Sequence, residues 1–411
     1  MGDAKGDLGE RNVSDTYHGP REGEEGMLRI GLEFEWEVPQ EGLRWVDRGQ
    51  EEGSGSTFTL GMVLGKEVDA RPPWLIGPPV GGKVPTTSRH PLEEFPGLHR
   101  EFAELPIQRK AVLEFAQRYG PLTKGLVLVE ERGEGHFATY RAEPWHFWLR
   151  EIQDMKDALY LLDLLRGHGK SKPHEEDLRE AIIWREGGVY FLPWQGELRS
   201  LYFDLLGYRE SASERVQELG PAGGGDLKRL GETEEIAEKL GRRISQHLEQ
   251  EGRFSLSPRL IACSTLYPEK FHIWKKTKDV VGPAWFMLGQ MVTEKLKGKV
   301  DLKLLGNQDE IGLVLVPQDL LSALWLGLLF EILGRIRLKR CPICGTFFDA
   351  SPAPQRVFCD KRGTGCRQRA YRWRRKLKAL LKEGKTLEEA ARETGIDATL
   401  ASFLLRTARG K

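Results

Sequence analysis

The spacing of apolar and polar residues changes several times along the chain, and each change predicts an element. From Met27 the pattern has period two, with Leu28, Ile30, Leu32, Phe34 and Trp36 set against Arg29, Glu33, Glu35 and Glu37. That alternation predicts one strand with a single buried face. A second strand is expected over 57–63, after the turn-forming run EEGSGS. Residues 71–91 are rich in Pro and Gly and predict an irregular loop. Helical spacing over 96–119 comes in two pieces, broken at Leu105-Pro106, and Gly120-Pro121 closes the second. A short strand is expected over 125–131. Residues 145–165 predict a long helix with Trp148, Ile152, Met155, Ala158, Leu159, Leu162 and Leu165 on one face. Glu151, Asp154, Asp157 and Asp163 mark what reads as its solvated face.

Beyond Pro173 the run EEDLREAIIW predicts a helix and GGVYFLP a strand. A charged helix is expected over 233–249, a strand near 254–260, a helix over 285–296, and a hairpin from 300–305 and 311–316. Cys263 stands alone in an apolar context and reads as a small buried hydrophobe. The apolar run from Leu320 to Leu333 is 14 residues long and is interrupted by Glu331. A membrane span needs about 20 residues, so this run predicts a core helix, and no stretch of the chain is long enough to cross a bilayer.

The pattern predicts an α+β multidomain chain. Residues 1–26, glycine-rich and almost without large apolar side chains, read as a disordered tail. Residues 27–336 read as a mixed α/β regulatory or oligomerising region, with a flexible division at 220–226 (GPAGGGD). Residues 337–383 read as a four-cysteine ribbon with a basic helix, and 384–411 as a helix-turn-helix-like pair. The hydrophobic content of 39%, with 11 Trp and 17 Phe, is ample for a buried core. No secretory h-region is visible, and cysteines at metal spacing suit a reducing compartment, so the expected location is the cytoplasm.

Chemistry concentrates in one stretch, 339–376, which holds four of the five cysteines as Cys341-x2-Cys344 and Cys359-x6-Cys366. Two such pairs present four thiolates to one tetrahedral ion, and Pro342, Gly345, Gly363 and Gly365 let the backbone bend round the sulfurs. No histidine lies in the stretch. The expected cofactor is therefore a structural Zn2+ in a closed site, not a catalytic one.

A helix is expected immediately after the last cysteine, from Arg367 to about Glu383. Ala370, Trp373, Leu377 and Leu380 form a narrow apolar stripe, and Arg367, Arg369, Arg372, Arg374, Arg375, Lys376 and Lys378 occupy the rest. Between Arg335 and Lys382 fifteen Lys and Arg face two acids, a net of +13, and with the whole chain at +1 the remainder carries −12. Two or three cations would suffice to neutralise a four-thiolate zinc; the excess points to a polyphosphate partner, with duplex DNA as the expected nucleic acid.

The string Cys366-Arg367-Gln368-Arg369-Ala370-Tyr371-Arg372, after a Cys-x2-Cys knuckle with Phe347 and Phe348, resembles the bacterial CGNR-type zinc fingers and related short zinc ribbons. Only Cys366 and Arg369 match the name-giving tetrapeptide; Arg367 and Gln368 stand where Gly and Asn are usual. The resemblance is confined to residues 338–376. It implies DNA binding and a regulatory role for the region that precedes it.

After the basic helix, Gly384 is placed as a helix stop, and Thr386 with Glu389 forms a capping box that opens the next helix. Gly395 supplies a turn, Asp397 caps the last helix, and Ala401, Leu404 and Leu405 are expected to face inward. This resembles a helix-turn-helix whose second helix offers Thr399, Ser402, Arg406 and Thr407 as readers. A plain helical hairpin shielding Trp373 fits the same pattern.

The expected function is zinc-dependent DNA binding in transcriptional regulation. An RNA-binding protein with Tyr371 and Trp373 stacking on bases is the alternative, to be decided by whether Trp373 is buried. A third reading has zinc and arginines contacting an acidic protein, including this chain's own acidic region. An enzyme in 27–336 is not expected: no nucleophile–base pair, open metal site or phosphate loop is visible, and no catalytic residue is assigned. Gly77 to Lys83 fits the G-x4-G-K spacing of a phosphate loop, but Val84 stands where a Ser or Thr should hold magnesium, and Pro78 and Pro79 remove amide donors. Composition leaves room for a homo-oligomer and assigns no small-molecule ligand.

Overall fold

The computed structural model describes residues 29–32, 34–47, 57–60, 73–131, 137–167, 175–185, 187–193, 258–306, 311–359 and 365–406, with a few more between 199 and 246. The 1–26 tail, the 220–226 division, most of the 233–249 helix and Thr407 lie outside the described residues. The described chain mixes helix and sheet. Its helices are α1 (Pro91–Glu94), α2 (Leu98–Ala103), α3 (Arg109–Tyr119), α4 (Trp145–Leu165), α5 (Glu175–Ala181), α6 (Pro268–Thr277), α7 (Val281–Leu296), α8 (Leu320–Ile332), α9 (Cys366–Lys382), α10 (Leu387–Thr394) and α11 (Ala398–Arg406).

The alternating stretch from Met27 does not form one strand. It divides into β1 (Arg29–Leu32) and β2 (Trp36–Pro39), which join different sheets. β1 pairs in parallel with β13 (Ile311–Pro317), placing Ile30 opposite Leu313 across the length of the chain. β13 in turn pairs antiparallel with β12 (Val300–Gly306), as the hairpin pattern predicts. β2 pairs with β6 (Thr86–Arg89). Alternation is a local signal and cannot register a change of partner between Leu32 and Trp36.

The Pro/Gly segment likewise corrects the expectation of a loop. It carries β6 and also β5 (Trp74–Pro79), the second strand of a five-stranded antiparallel sheet. That sheet runs β3 (Arg44–Val46), β5, β8 (Phe137–Pro144), β7 (Leu126–Glu131), β4 (Thr57–Leu60). Pro78 and Pro79 are tolerated inside it because the β5–β8 register shifts between Ile76 and Pro79, at a bulge that needs fewer amide donors. Trp74, Ile76, Leu128, Tyr140 and Ala142 bury one face of this sheet. On the other, Leu75 joins the main core.

α4 is the centre of that core, packed by α2, α7 and α8. It spans the predicted residues, but three of its acids are not solvated: Glu151, Asp154 and Asp157 are all buried. α7 and the strand β11 (Arg259–Cys263) lie across that side and supply counter-charges. Lys295 Nζ sits 2.6 Å from both Glu151 and Asp154, and Arg259 pairs with Asp154 and, at 3.4 Å, with Asp157. Burial pushes the Asp154 carboxyl up, yet Lys295 and Arg259 outweigh it and the group stays below its ordinary range. The missing information was tertiary: both cations lie more than a hundred residues from the acids they pair with.

Two smaller corrections follow the same logic. Helix α5 stops at Ala181, and Ile182–Arg185 forms β9, paired with β10 (Gly188–Phe191); two β-branched isoleucines suit that sheet better than another helical turn. Cys263 is half-exposed at the end of β11, its sulfur 3.3 Å from Thr265 Oγ1 and accepting from the Leu266 amide. α8 is the expected core helix, capped reciprocally by Asp319 and Ser322. No helix among the described residues is long and apolar enough to cross a membrane.

Candidate metal centre and basic face

α8 delivers the chain to the cysteine stretch. Its penultimate residue, Glu331, is buried and anchors the exit: His99 Nε2 donates to it at 2.8 Å, Arg100 Nη2 at 2.6 Å and Arg166 Nη1 at 3.1 Å. Burial pushes Glu331 up, but the hydrogen bonds from His99 and Arg100 prevail and hold it at about 2. Gly327 has no side chain because the His99 ring lies against it; an added Cβ would sit 2.9 Å from Nδ1.

Two short strands, β14 (Leu338–Arg340) and β15 (Phe347–Asp349), flank the first cysteine pair. The knuckle closes through Gly345 N donating to Cys341 O at 2.9 Å and Cys341 N donating to Thr346 O at 3.0 Å. Gly345 adopts φ +72°, a left-handed conformation that a Cβ would strain. Cys359 ends the following turn segment, and Cys366 is the first residue of α9. The longer x6 spacing thus leads the fourth sulfur onto the first residue of a helix.

The four sulfurs of Cys341, Cys344, Cys359 and Cys366 all lie within 4.8 Å of one another and could hold a metal ion. Bonds of about 2.3 Å to a tetrahedral ion place sulfurs about 3.8 Å apart; Cys344 and Cys359 are separated by 3.5 Å, so the donor set fits. No disulfide joins them. Cys341, Cys359 and Cys366 are buried with Phe348 and Ala350, and Cys344 is half-buried. The cluster is closed to solvent on most sides and all-sulfur, which suits a structural ion.

The cluster is docked on the body of the protein by contacts that no sequence pattern announces. Phe347 lies directly against Gly97, where a Cβ would overlap its side chain. Arg340 pairs with Glu104 at 3.1 Å. Phe95, Pro96 and Gly97 face Phe347, Phe348 and Arg356 across a shallow pocket. On the opposite side Ile343 and Phe358 pack into a separate apolar cluster made by α9, α10 and α11.

That second cluster buries the predicted stripe: Ala370, Leu377 and Leu380 are buried and Trp373 is half-buried among them. The Thr386–Glu389 capping box forms as expected, with Thr386 N donating to Glu389 at 2.8 Å. Gly384 and Gly395 take φ +86° and +75°. Asp397 accepts from Leu400 N at 2.7 Å, and Ala401 and Leu404 face inward.

The predicted nucleic-acid contacts separate into two groups. Arg367, Arg372, Arg375, Lys376 and Lys378 are exposed. Of these, Lys376 donates to the Glu393 carbonyl, whereas Arg367, Arg372, Arg375 and Lys378 make no ion pair among the described residues. Arg369 and Arg374 are half-buried and engaged within the fold: Arg369 Nη2 is 3.6 Å from Cys366 Sγ, and Arg374 Nε donates to Leu404 O at 2.9 Å. Arg369 thus faces the Cys366 sulfur. On α11 Thr399 is exposed, while Ser402 is half-buried and accepts from Arg406 Nε and Nη2 at 3.2 and 2.8 Å. Tyr371, which the stripe leaves out, is 65% exposed.

Comparison with protein-family models, with curated proteins and with solved structures finds no match for the chain.

Proposed function

We propose that this chain is a zinc-dependent DNA-binding protein acting in transcriptional regulation. In this reading Cys341, Cys344, Cys359 and Cys366 hold a structural Zn2+, whose binding energy fixes the knuckle and the start of α9. The observation that carries the reading is the exposed cation row of α9: Arg367, Arg372, Arg375 and Lys378 face solvent on a helix whose apolar stripe is buried and whose first residue is a metal-site cysteine. Cations neither paired nor covered are available to phosphates, and phosphate contacts supply most of non-specific affinity. The resemblance of residues 338–376 to CGNR-type zinc fingers agrees with this. α10 and α11 serve as a helix-turn-helix-like support, with Thr399 as the free polar side chain at the start of the last helix. Trp373 is half-buried against the three-helix cluster, and that packing favours a structural role for it over base stacking.

The test uses the full chain and a fluorescent duplex at several salt concentrations. Neutralising Arg367, Arg372 and Arg375 to Gln should reduce the slope of log K against log salt by about 2.7, at roughly 0.9 per phosphate contact. A chelator should abolish binding. Unchanged slope in the triple variant, or binding indifferent to chelation, would overturn the proposal.

A further inference from the structure

We infer that Tyr371 is a base-stacking platform, so that the ligand of the basic face is DNA presenting unpaired bases, as in a single-stranded segment. This rests on the phosphate-binding reading above and names the class of nucleic acid. Tyr371 occupies the middle of the free cation row. Arg367 lies one turn before it and Arg375 one turn after, at the i±4 positions that share a helix face, and Arg372 adjoins it. The ring is 65% exposed and stands outside the apolar cluster that holds Ala370 and Trp373 on either side of it in sequence. Its hydroxyl makes no hydrogen bond among the described residues. Tyr267, another exposed tyrosine, differs: its hydroxyl accepts from Gln290 at 2.7 Å and its ring packs on Phe286. Arg367, Gln368, Tyr371 and Arg372 line an open, shallow recess.

An aromatic face flanked by guanidinium groups is the arrangement that single-stranded nucleic acid requires. Cations track the backbone, and the ring stacks on a base whatever its identity, because every base has a π-face. A closed duplex hides those faces within its own stack, so a duplex gains only the phosphate contacts. Gln368 adds an amide that can meet a base edge without imposing a sequence. The exposed side of α9 therefore offers one stacking site between two phosphate sites.

The test compares a 20-nucleotide oligo(dT) with a blunt 20-bp duplex as probes for the zinc-loaded full chain and its Tyr371→Ala, Tyr371→Phe and Arg372→Gln variants. Alanine at 371 should weaken oligo(dT) binding roughly 5- to 150-fold, the range for loss of one base–aromatic stack, and leave the duplex affinity within about twofold. Phenylalanine should retain oligo(dT) binding, since the ring and not the hydroxyl stacks. Arg372→Gln should weaken both probes. Equal loss on both probes, or no loss, with Tyr371→Ala would overturn the stacking role while leaving the phosphate-binding reading in place. If the parent chain binds neither probe at low salt, that underlying reading fails instead. Unchanged thiolate-to-cobalt absorption in a Co2+-loaded sample of each variant shows that the cysteine site is intact.

Discussion

Charged residues do opposite work in two regions of this protein. In the body, cations and acids face inward and pair: Lys295 and Arg259 with the acids of α4, and Arg100, Arg166 and His99 with Glu331. In α9, Arg367, Arg372, Arg375 and Lys378 face outward without such partners among the described residues. The body can bury its charges because helices and strands distant in sequence close over them. Among the described residues α9 is backed by two short helices with Ile343 and Phe358, which cover the narrow stripe from Ala370 to Leu380. Buried pairs hold a shape and resist exchange; exposed cations hold nothing and remain available to a ligand.

This contrast can be broken first at the metal site. Treatment with a chelator, or replacing Cys341 by Ser, should abolish amide protection over 341–359 if the cluster holds zinc, since comparable small sites gain about 10–16 kcal/mol from it. Protection over Trp145–Leu165 should be unchanged. Hydrogen exchange read by mass spectrometry gives both in one experiment, and retained protection at the cysteines would count against a metal-dependent module.

Next in size is Glu331→Gln. Removing the Glu331 charge leaves Arg100 with Asp163 alone at 2.9 Å and takes the carboxylate from Arg166, at a cost towards the low end of the about 3–5 kcal/mol for breaking a buried pair. The midpoint of urea unfolding should fall, while the cobalt absorption of the cysteine site in the native baseline should not move.

Acid should act on the same site with a slightly smaller effect. Glu331 is held at about 2, below the ordinary 4.5, so its stabilisation is complete above pH 4.5 and disappears as the pH falls from there through 2. At 1.36 kcal/mol per unit the loss is about 3 kcal/mol. His99 is lowered by burial, so it too favours the folded state above its ordinary 6.5 and opposes it as the pH falls. Denaturant midpoints measured at several pH values should decline towards acid in the parent chain, and more shallowly in Glu331→Gln.

Gly97→Ala sharpens the comparison from the other side. The added methyl would displace Phe347 and loosen the contact between the two regions, costing about 1–3 kcal/mol as an overpacked site. Faster proteolysis between Arg335 and Leu338 would report it. The smallest effect is expected from Thr386→Ala, about 1 kcal/mol, through loss of the cap on α10. Thermal melting of the full chain followed at α10 amides should detect it.

What could be read in advance was governed by local rules. α4 spans Trp145–Leu165 because its apolar spacing is uninterrupted between a proline and a glycine, and the caps at Thr386 and Asp397 are side-chain bonds three residues long. The cysteine cluster belongs to the same group, since metal spacing is written in sequence separations. The apolar stripe of α9 was visible for the same reason.

Tertiary structure decided the rest. β1 and β2 part company because one finds β13 and the other β6, a choice made by strands far along the chain. The acids of α4 change from a solvated face to a paired interior only when Arg259 and Lys295 arrive. Arg369 and Arg374 leave the cation row because a sulfur and a helix end lie within reach of them. In each case a residue's local pattern fixed the element it joined, while its solvation and partners depended on long-range packing, which an interaction spacing of three or four residues cannot encode.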